Sequence, residues 1–348
     1  MVSCRPACRA AAPVAVAACA ALAACTPDPV IWDDVHERRL DPPPVSAATG
    51  APGAAADSLV HAVVWSMEHG PAGSQRPVDA TAALHAPDSL AVAAPPPNPT
   101  GTRCPTSLRL ARAPRPTGAA QTHAAPAGQA MSMPMAASQT NAPGPGVVAV
   151  WWAARPDRSA ALYLSRTADG GRTWAAPLAV DTLDRSETGC DRPAPSVAVD
   201  SANGYVHVAY SMQAPEGPGV FYAHQMDPRA AFERPQVIVY GDRPAATSVS
   251  SQGDRVVVAY EDPNTGGRPF VSLALSRTAG HAWAERVPVT GGSVAAERPV
   301  VALRGRDQVL LGWVERTAPR VMEGTDDPRA AVTALPSGVV VRVGRLRE

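Results

Sequence analysis

Thr167-Ala168-Asp169-Gly170-Gly171-Arg172-Thr173-Trp174 fits the pattern S/T-x-D-x-G-x-T-W at every specified position. The pattern describes a hairpin connection. The Asp169 carboxylate is placed to accept hydrogen bonds from backbone N–H groups of its own turn. Gly171 supplies the positive φ that a tight turn needs. Trp174 is expected to open the following strand and to bury a large apolar surface against the sheet. None of these roles is chemical, so the stretch marks a fold and not a reaction centre.

Working outward, two decayed copies follow. Gln225-Met226-Asp227-Pro228-Arg229-Ala230-Ala231-Phe232 keeps the acid (Asp227) and the aromatic (Phe232). Ser276-Arg277-Thr278-Ala279-Gly280-His281-Ala282-Trp283 keeps Ser276, Gly280 and Trp283 without the acid. The terminal aromatics Trp174, Phe232 and Trp283 are 58 and 51 residues apart. A period of that length with strand-like content predicts a propeller blade of four strands. Acid-Arg-Pro triplets, Asp191–Pro193, Asp242–Pro244 and Glu297–Pro299, open three of the units. Short β-branched runs ending in an aromatic recur at 60–65, 147–151, 206–210, 256–260 and 309–313. Bounded by Gly, Pro and Asp, such runs read as strands.

The sequence therefore predicts an all-β chain: a β-propeller of four-stranded blades, five in number, with a sixth within 70–140 as the alternative. The last unit has a third strand in 339–346 but no fourth. Val30-Ile31-Trp32 is expected to supply it by N-terminal strand exchange, which hides a sheet edge. In a four-stranded meander the A–B and C–D connections share one face and the B–C and D–A connections the other. The octapeptide, a C–D turn, marks the bottom. Arg192, Arg243 and Arg298 are then expected at the top, with Glu68, Glu261, Asp262 and Glu315 near the ends of the second strands and long loops at 68–103 and 316–337. Converging guanidinium forks would bind a carboxylate; paired with neighbouring acids, the same arginines would only brace blades.

The octapeptide resembles the Asp box of bacterial neuraminidase repeats (BNR), and residues 29–348 resemble the sialidase superfamily of propellers. That resemblance implies three arginines on a substrate carboxylate and a Tyr nucleophile activated by Glu, with an Asp acid/base. The sequence departs from it. The arginine motifs read Arg-Pro without the family's Ile, and no Tyr follows Tyr260. Glu261, adjacent to Tyr260 in a strand, is expected to face the opposite side.

The N-terminus carries a targeting pattern: Arg5 and Arg9, then an apolar run from Ala10 to Ala24. Leu22-Ala23-Ala24-Cys25 resembles the lipobox of bacterial lipoproteins. The resemblance implies a signal peptide over 1–24, acylation of Cys25 (a thioether lipid and palmitate), and a tether over 25–28. Thr26 at the next position favours the outer membrane in a Gram-negative envelope. Cys4, Cys8 and Cys19 leave with the signal, so Cys104 and Cys190 remain as a disulfide pair.

The 348 residues carry 31 basic and 31 acidic side chains, a balance that points away from nucleic acid. Met131, Met133 and Met135 alternate in an extended stretch near His123, where three thioethers would suit Cu(I); packing is the plainer role for them. No other cofactor is indicated, and no H-E-x-x-H, phosphate loop or G-x-S-x-G elbow is present. The sum is a membrane-anchored exported lipoprotein whose propeller binds a glycan or envelope protein on its top face without hydrolysing it. A divergent exo-sialidase using Arg192, Arg243 and Arg298 is the alternative, and a periplasmic copper-binding protein a third.

Overall fold

The computed structural model describes residues 28–40, 92–113, 146–265, 268–283, 285–291, 294–305, 307–317 and 337–347. The expectations for Cys25 and the signal peptide, for strand 60–65, for Glu68, for the Met131/Met133/Met135 group and for most of the 316–337 loop lie outside the described residues. The chain forms two compact units, 1–86 with 254–348 and 87–253.

The first unit begins with β1 (Val30–Leu40). The second carries β2 (Thr102–Arg103), β3 (Arg109–Arg112), β4 (Val147–Ala154), β5 (Ala160–Thr167), β6 (Leu178–Asp181), β7 (Ser196–Val199), β8 (Val206–Ala214), β9 (Gly217–Gln225), β10 (Gln236–Tyr240) and β11 (Thr247–Gln252). The first unit resumes with β12 (Arg255–Glu261), β13 (Val271–Ser276), β14 (Glu285–Pro288), β15 (Val294–Arg304), β16 (Gln308–Thr317) and β17 (Ser337–Leu346). Among the described residues there is no α-helix.

In the second unit, β4, β5 and β6 form an antiparallel meander in chain order, with β2 and β3 both paired to the free side of β4. β2 and β3 are one strand broken in the middle. Thr102 faces Ala154 and Arg112 faces Val147, but Pro105, which lacks an N–H, diverts the chain into a single 3-10 turn between them. The β7-β8-β9-β10 sheet is a complete four-stranded meander. The two sheets pack face to face through residues spaced two apart, Val148, Val150 and Trp152 against Val206, Val208, Tyr210 and Met212. The other face of β4, Ala149, Trp151 and Ala153, is buried under Leu108, Leu110, Tyr163 and Trp174. A strand apolar on both faces follows from Val147–Ala154 containing no polar residue.

In the first unit, β12, β13 and β14 follow one another as antiparallel neighbours. A second sheet has the order β15-β16-β17-β1. Val30 stands opposite Leu346 and Trp32 opposite Gly344, so the N-terminal strand is the fourth strand beside the C-terminal one. The core between these elements joins Val257, Ala259, Leu273, Val301, Leu311 and Trp313 with Val30 and Leu346.

The octapeptide is the β5–β6 turn, a C–D connection. Asp169 Oδ1 accepts from the amides of Arg172 and Thr173, both at 2.9 Å, and from the Thr167 hydroxyl at 2.7 Å. Its Oδ2 accepts from the Thr173 hydroxyl at 2.6 Å. Those hydroxyls and amides hold the carboxyl well below the usual carboxylate range, Thr173 foremost. Gly171 has φ 86, and a Cβ there would meet Val92 at 2.6 Å.

The decayed copies keep the geometry in proportion to their sequence. At 276–283 the Ser276 hydroxyl accepts from Gly280 N at 3.0 Å, as Thr167 does from Gly171 N at 3.0 Å. The Thr278 hydroxyl accepts from Ala282 N at 2.9 Å, in the place of the Asp169 carboxylate. At 225–232 the Asp227 carboxylate accepts from Arg229 N at 2.9 Å and the Asp227 carbonyl from Ala230 N at 3.0 Å.

Three expectations are corrected. Trp174 does not open a strand: β6 begins four residues later, and Trp174 lies half-buried over β4 with its Nε1 donating to Ala94 O at 2.8 Å. The third triplet is not a D–A entry but a bulge inside β15, where the register to β16 shifts between Glu297 and Val300. The 68–103 stretch is not confined to the loop side, since Ala93 and Ala94 donate to Gly170 and Gly171 of the octapeptide turn.

Candidate functional site

The D–A connection of the second unit, between β6 and β7, carries Arg192. Its guanidinium is fully engaged. Nη1 donates to Asp184 Oδ2 at 2.8 Å, Nε to Gly189 O at 2.6 Å, and Nη2 to the hydroxyls of Ser186 (2.9 Å) and Thr188 (3.3 Å). The group also lies 5.0 Å above the Trp152 ring. The side chains of Arg192 and Asp184 are 4% and 1% exposed.

Asp184 gives the pair its structural meaning. It accepts from Ala160 N at 2.9 Å and Gln213 N at 3.2 Å, so one carboxylate joins the start of β5 to the end of β8. A few residues away Cys190 is bonded to Cys104, closing a span of 86 residues and pinning the break between β2 and β3 to the same loop. In the chain-entropy view a loop of that size stabilises the fold by about 4–5 kcal/mol. Sequence reasoning missed Asp184 because an acid eight residues from its arginine carries no local signal.

Tyr210 and Asp181 form a second buried pair beneath this loop. The phenol donates to Asp181 Oδ2 at 2.6 Å, and Tyr210 is completely buried. Burial first, and then the Asp181 charge, pushes the phenol well above its ordinary range; burial likewise raises Asp181. This Tyr–carboxylate contact joins β8 to β6 and is sealed by Trp152 and Phe221. Arg243, in the next D–A connection, is exposed.

In the first unit the structure brings Glu261 and Arg298 together. Arg298 has φ 55, and its N–H donates to Glu261 Oε1 at 2.7 Å. A left-handed conformation at a non-glycine bulge residue is a local strain of about 1–3 kcal/mol. Glu315 on β16 is opposite Ala296, two residues before Arg298. Two residues before Glu315 on the same face is Trp313, buried, whose indole N–H has no partner among the described residues. Tyr260 is buried and its phenol is pushed up to about 12, chiefly by burial and then by Asp262. It is therefore not positioned as a solvent-reachable nucleophile.

A further polar strip runs through the second unit between β8 and β9. His207 Nδ1 and the Tyr222 hydroxyl are 2.6 Å apart, and His224 Nε2 is 3.3 Å from Glu233 Oε2. His207 is fully buried, and burial, followed by His224, lowers its pKa to about 3. The imidazole is neutral in the fold.

No protein-family model matches the chain, and no curated protein does. Among solved structures it is similar to the Hadza microbial sialidase Hz136, at 16% identity over 48% of this chain and 39% of that one, TM-score 0.36. It is also similar to the GH93 alpha-L-arabinofuranosidase of Fusarium graminearum, at 13% identity over 56% and 62%, TM-score 0.37. The Trypanosoma rangeli sialidase matches at 14% identity over 50% and 33%, TM-score 0.35. The chain thus spans less than two thirds of each of these neighbours. At such scores the likeness carries no functional weight, and the reading rests on the side chains themselves.

Proposed function

We propose that this chain is an exported, lipid-anchored β-propeller that recognises a ligand, a glycan or an envelope protein, without hydrolysing it. The observation that carries this reading is the commitment of Arg192. Every nitrogen of its guanidinium is bonded to Asp184, Gly189, Ser186 or Thr188, and its side chain is 4% exposed. An arginine that braces two sheets is not free to clamp a substrate carboxylate. Tyr210, whose phenol donates to Asp181, is sealed in the core with that carboxylate. Recognition falls instead to Glu261, Arg298 and Glu315 of the first unit, where a strained bulge and the Trp313 indole, without a partner among the described residues, are the features a ligand would complete. Anchoring by an acylated Cys25 supports an outer-membrane placement in this reading.

The test is release of 4-methylumbelliferone from its sialoside by the purified full chain. No release is expected at any pH between 4 and 8. Release that disappears in Arg298→Ala would replace the binding reading by the exo-sialidase one, which the same strained arginine beside Glu261 favours. Membrane partitioning of Cys25→Ser decides the anchor separately: loss to the soluble fraction is expected, and unchanged partitioning contradicts it.

A further inference from the structure

At the octapeptide end of the second unit, the space between the first two sheets opens into a cavity of about 750 Å³. Its floor is apolar, formed by Val148 and Val206 of the core, and Trp174 and Ala202 form part of its wall. A volume of this order is typical of small-molecule sites, roughly 300–1,000 Å³. One charged group enters it: Arg166, on β5 opposite Val148.

The state of that arginine is unusual. Nη2 donates to Gln225 Oε1, while Nη1 is buried and without a partner among the described residues. The Gln225 amide in turn donates from Nε2 to Ala230 O. A carbonyl only accepts and a guanidinium only donates, so these two contacts fix the amide in one orientation and hold the guanidinium still. Among the described residues no carboxylate lies within ion-pair distance of Arg166. The nearest acid in sequence, Asp169, has both oxygens taken by Thr167, Arg172 and Thr173. The described residues lining the cavity include no Asp or Glu. Burial alone lowers the Arg166 pKa, as expected for a cation with no countercharge.

A half-buried guanidinium without an anion is costly, and a ligand anion would relieve it. The rest of the wall is mostly apolar and would reject a strongly hydrated molecule. We infer that this cavity binds a small apolar monocarboxylate, its body against Val148, Val206 and Trp174 and its carboxylate at the Arg166 guanidinium. The site is independent of the recognition surface proposed for the first unit.

Isothermal titration of the full chain with decanoate, and separately with decanol, tests this. Decanoate is expected to bind the native protein, and Arg166→Gln to weaken it by about tenfold or more, the loss of one charge-assisted hydrogen bond. Decanol should bind more weakly than decanoate and equally to both proteins. Ala202→Trp, on an exposed turn, narrows the cavity without touching the arginine and should abolish both. Absence of decanoate binding to the native chain, or equal affinity in Arg166→Gln, overturns the inference. If Arg166→Gln fails to fold by circular dichroism, equal affinity of native protein for decanoate and decanol overturns it instead.

Discussion

Two ends of the same pair of sheets treat an arginine in opposite ways. At the loop end, Arg192 is bonded through all three nitrogens and paired with Asp184. At the octapeptide end, Arg166 keeps a buried Nη1 with no acceptor among the described residues. The acid available to each explains the difference. Asp184 lies on a long connection and reaches across to its arginine. Asp169 is only three residues from Arg166 but is spent on its own turn. The motif that builds the hairpin thereby strips the neighbouring arginine of its countercharge, and the end expected to be inert is the one left with an unmet electrostatic demand.

The sharpest way to break the contrast is to remove the acid at the loop end. Asp184→Ala leaves Arg192 buried and unpaired and strands two backbone amides, so a loss of about 3–5 kcal/mol is expected in urea unfolding. A loss below 1 kcal/mol would mean the loop end is not a brace. Cys190→Ser should cost about 2–5 kcal/mol at the same loop. Its unfolding midpoint, compared with that of the reduced native chain, checks that the effect comes from the bridge.

Between the two ends, the His207 strip offers a pH test. The folded pKa of about 3 lies below the ordinary value of 6.5, so the unfolded chain binds the proton first as pH falls. This group therefore leaves stability intact above pH 6.5 and removes about 1.4 kcal/mol for each pH unit below it, down to about 3. His207→Phe should flatten the acid limb of stability measured between pH 4 and 7; an unchanged slope contradicts burial of a neutral imidazole.

The smallest effect is expected at the other arginine. Arg166→Gln removes a charge with no carboxylate to lose but also the donor to buried Gln225 Oε1; the two effects oppose, so stability should stay within about 2 kcal/mol of native. The same exchange at Arg192 would expose Asp184 and should be far more damaging.

Much of the strand framework was legible in the sequence. The runs at 147–151, 206–210, 256–260 and 309–313 fall inside β4, β8, β12 and β16, because short runs of β-branched and aromatic residues bounded by Gly, Pro and Asp favour extended backbone. The placement of Val30–Trp32 beside the C-terminal strand followed from counting strands per unit. The failures are as instructive. Trp174 sits four residues outside β6 because it caps β4, which no local pattern states. Glu297–Pro299 looks like its sister triplets but forms a bulge, a matter of register with β16. The site was least legible. Arg192 lies in a polar loop and Arg166 near the end of the mainly apolar β5, and only the distances to surrounding acids separate a brace from an open cation.

That separation can be seen directly in crystals grown or soaked with 10-bromodecanoate, using the anomalous signal of bromine. The account predicts a bromine peak in the cavity between Val148 and Val206, with the carboxylate on Arg166 and none at Arg192. A peak beside Arg192, or an empty cavity in the presence of saturating ligand, would contradict it.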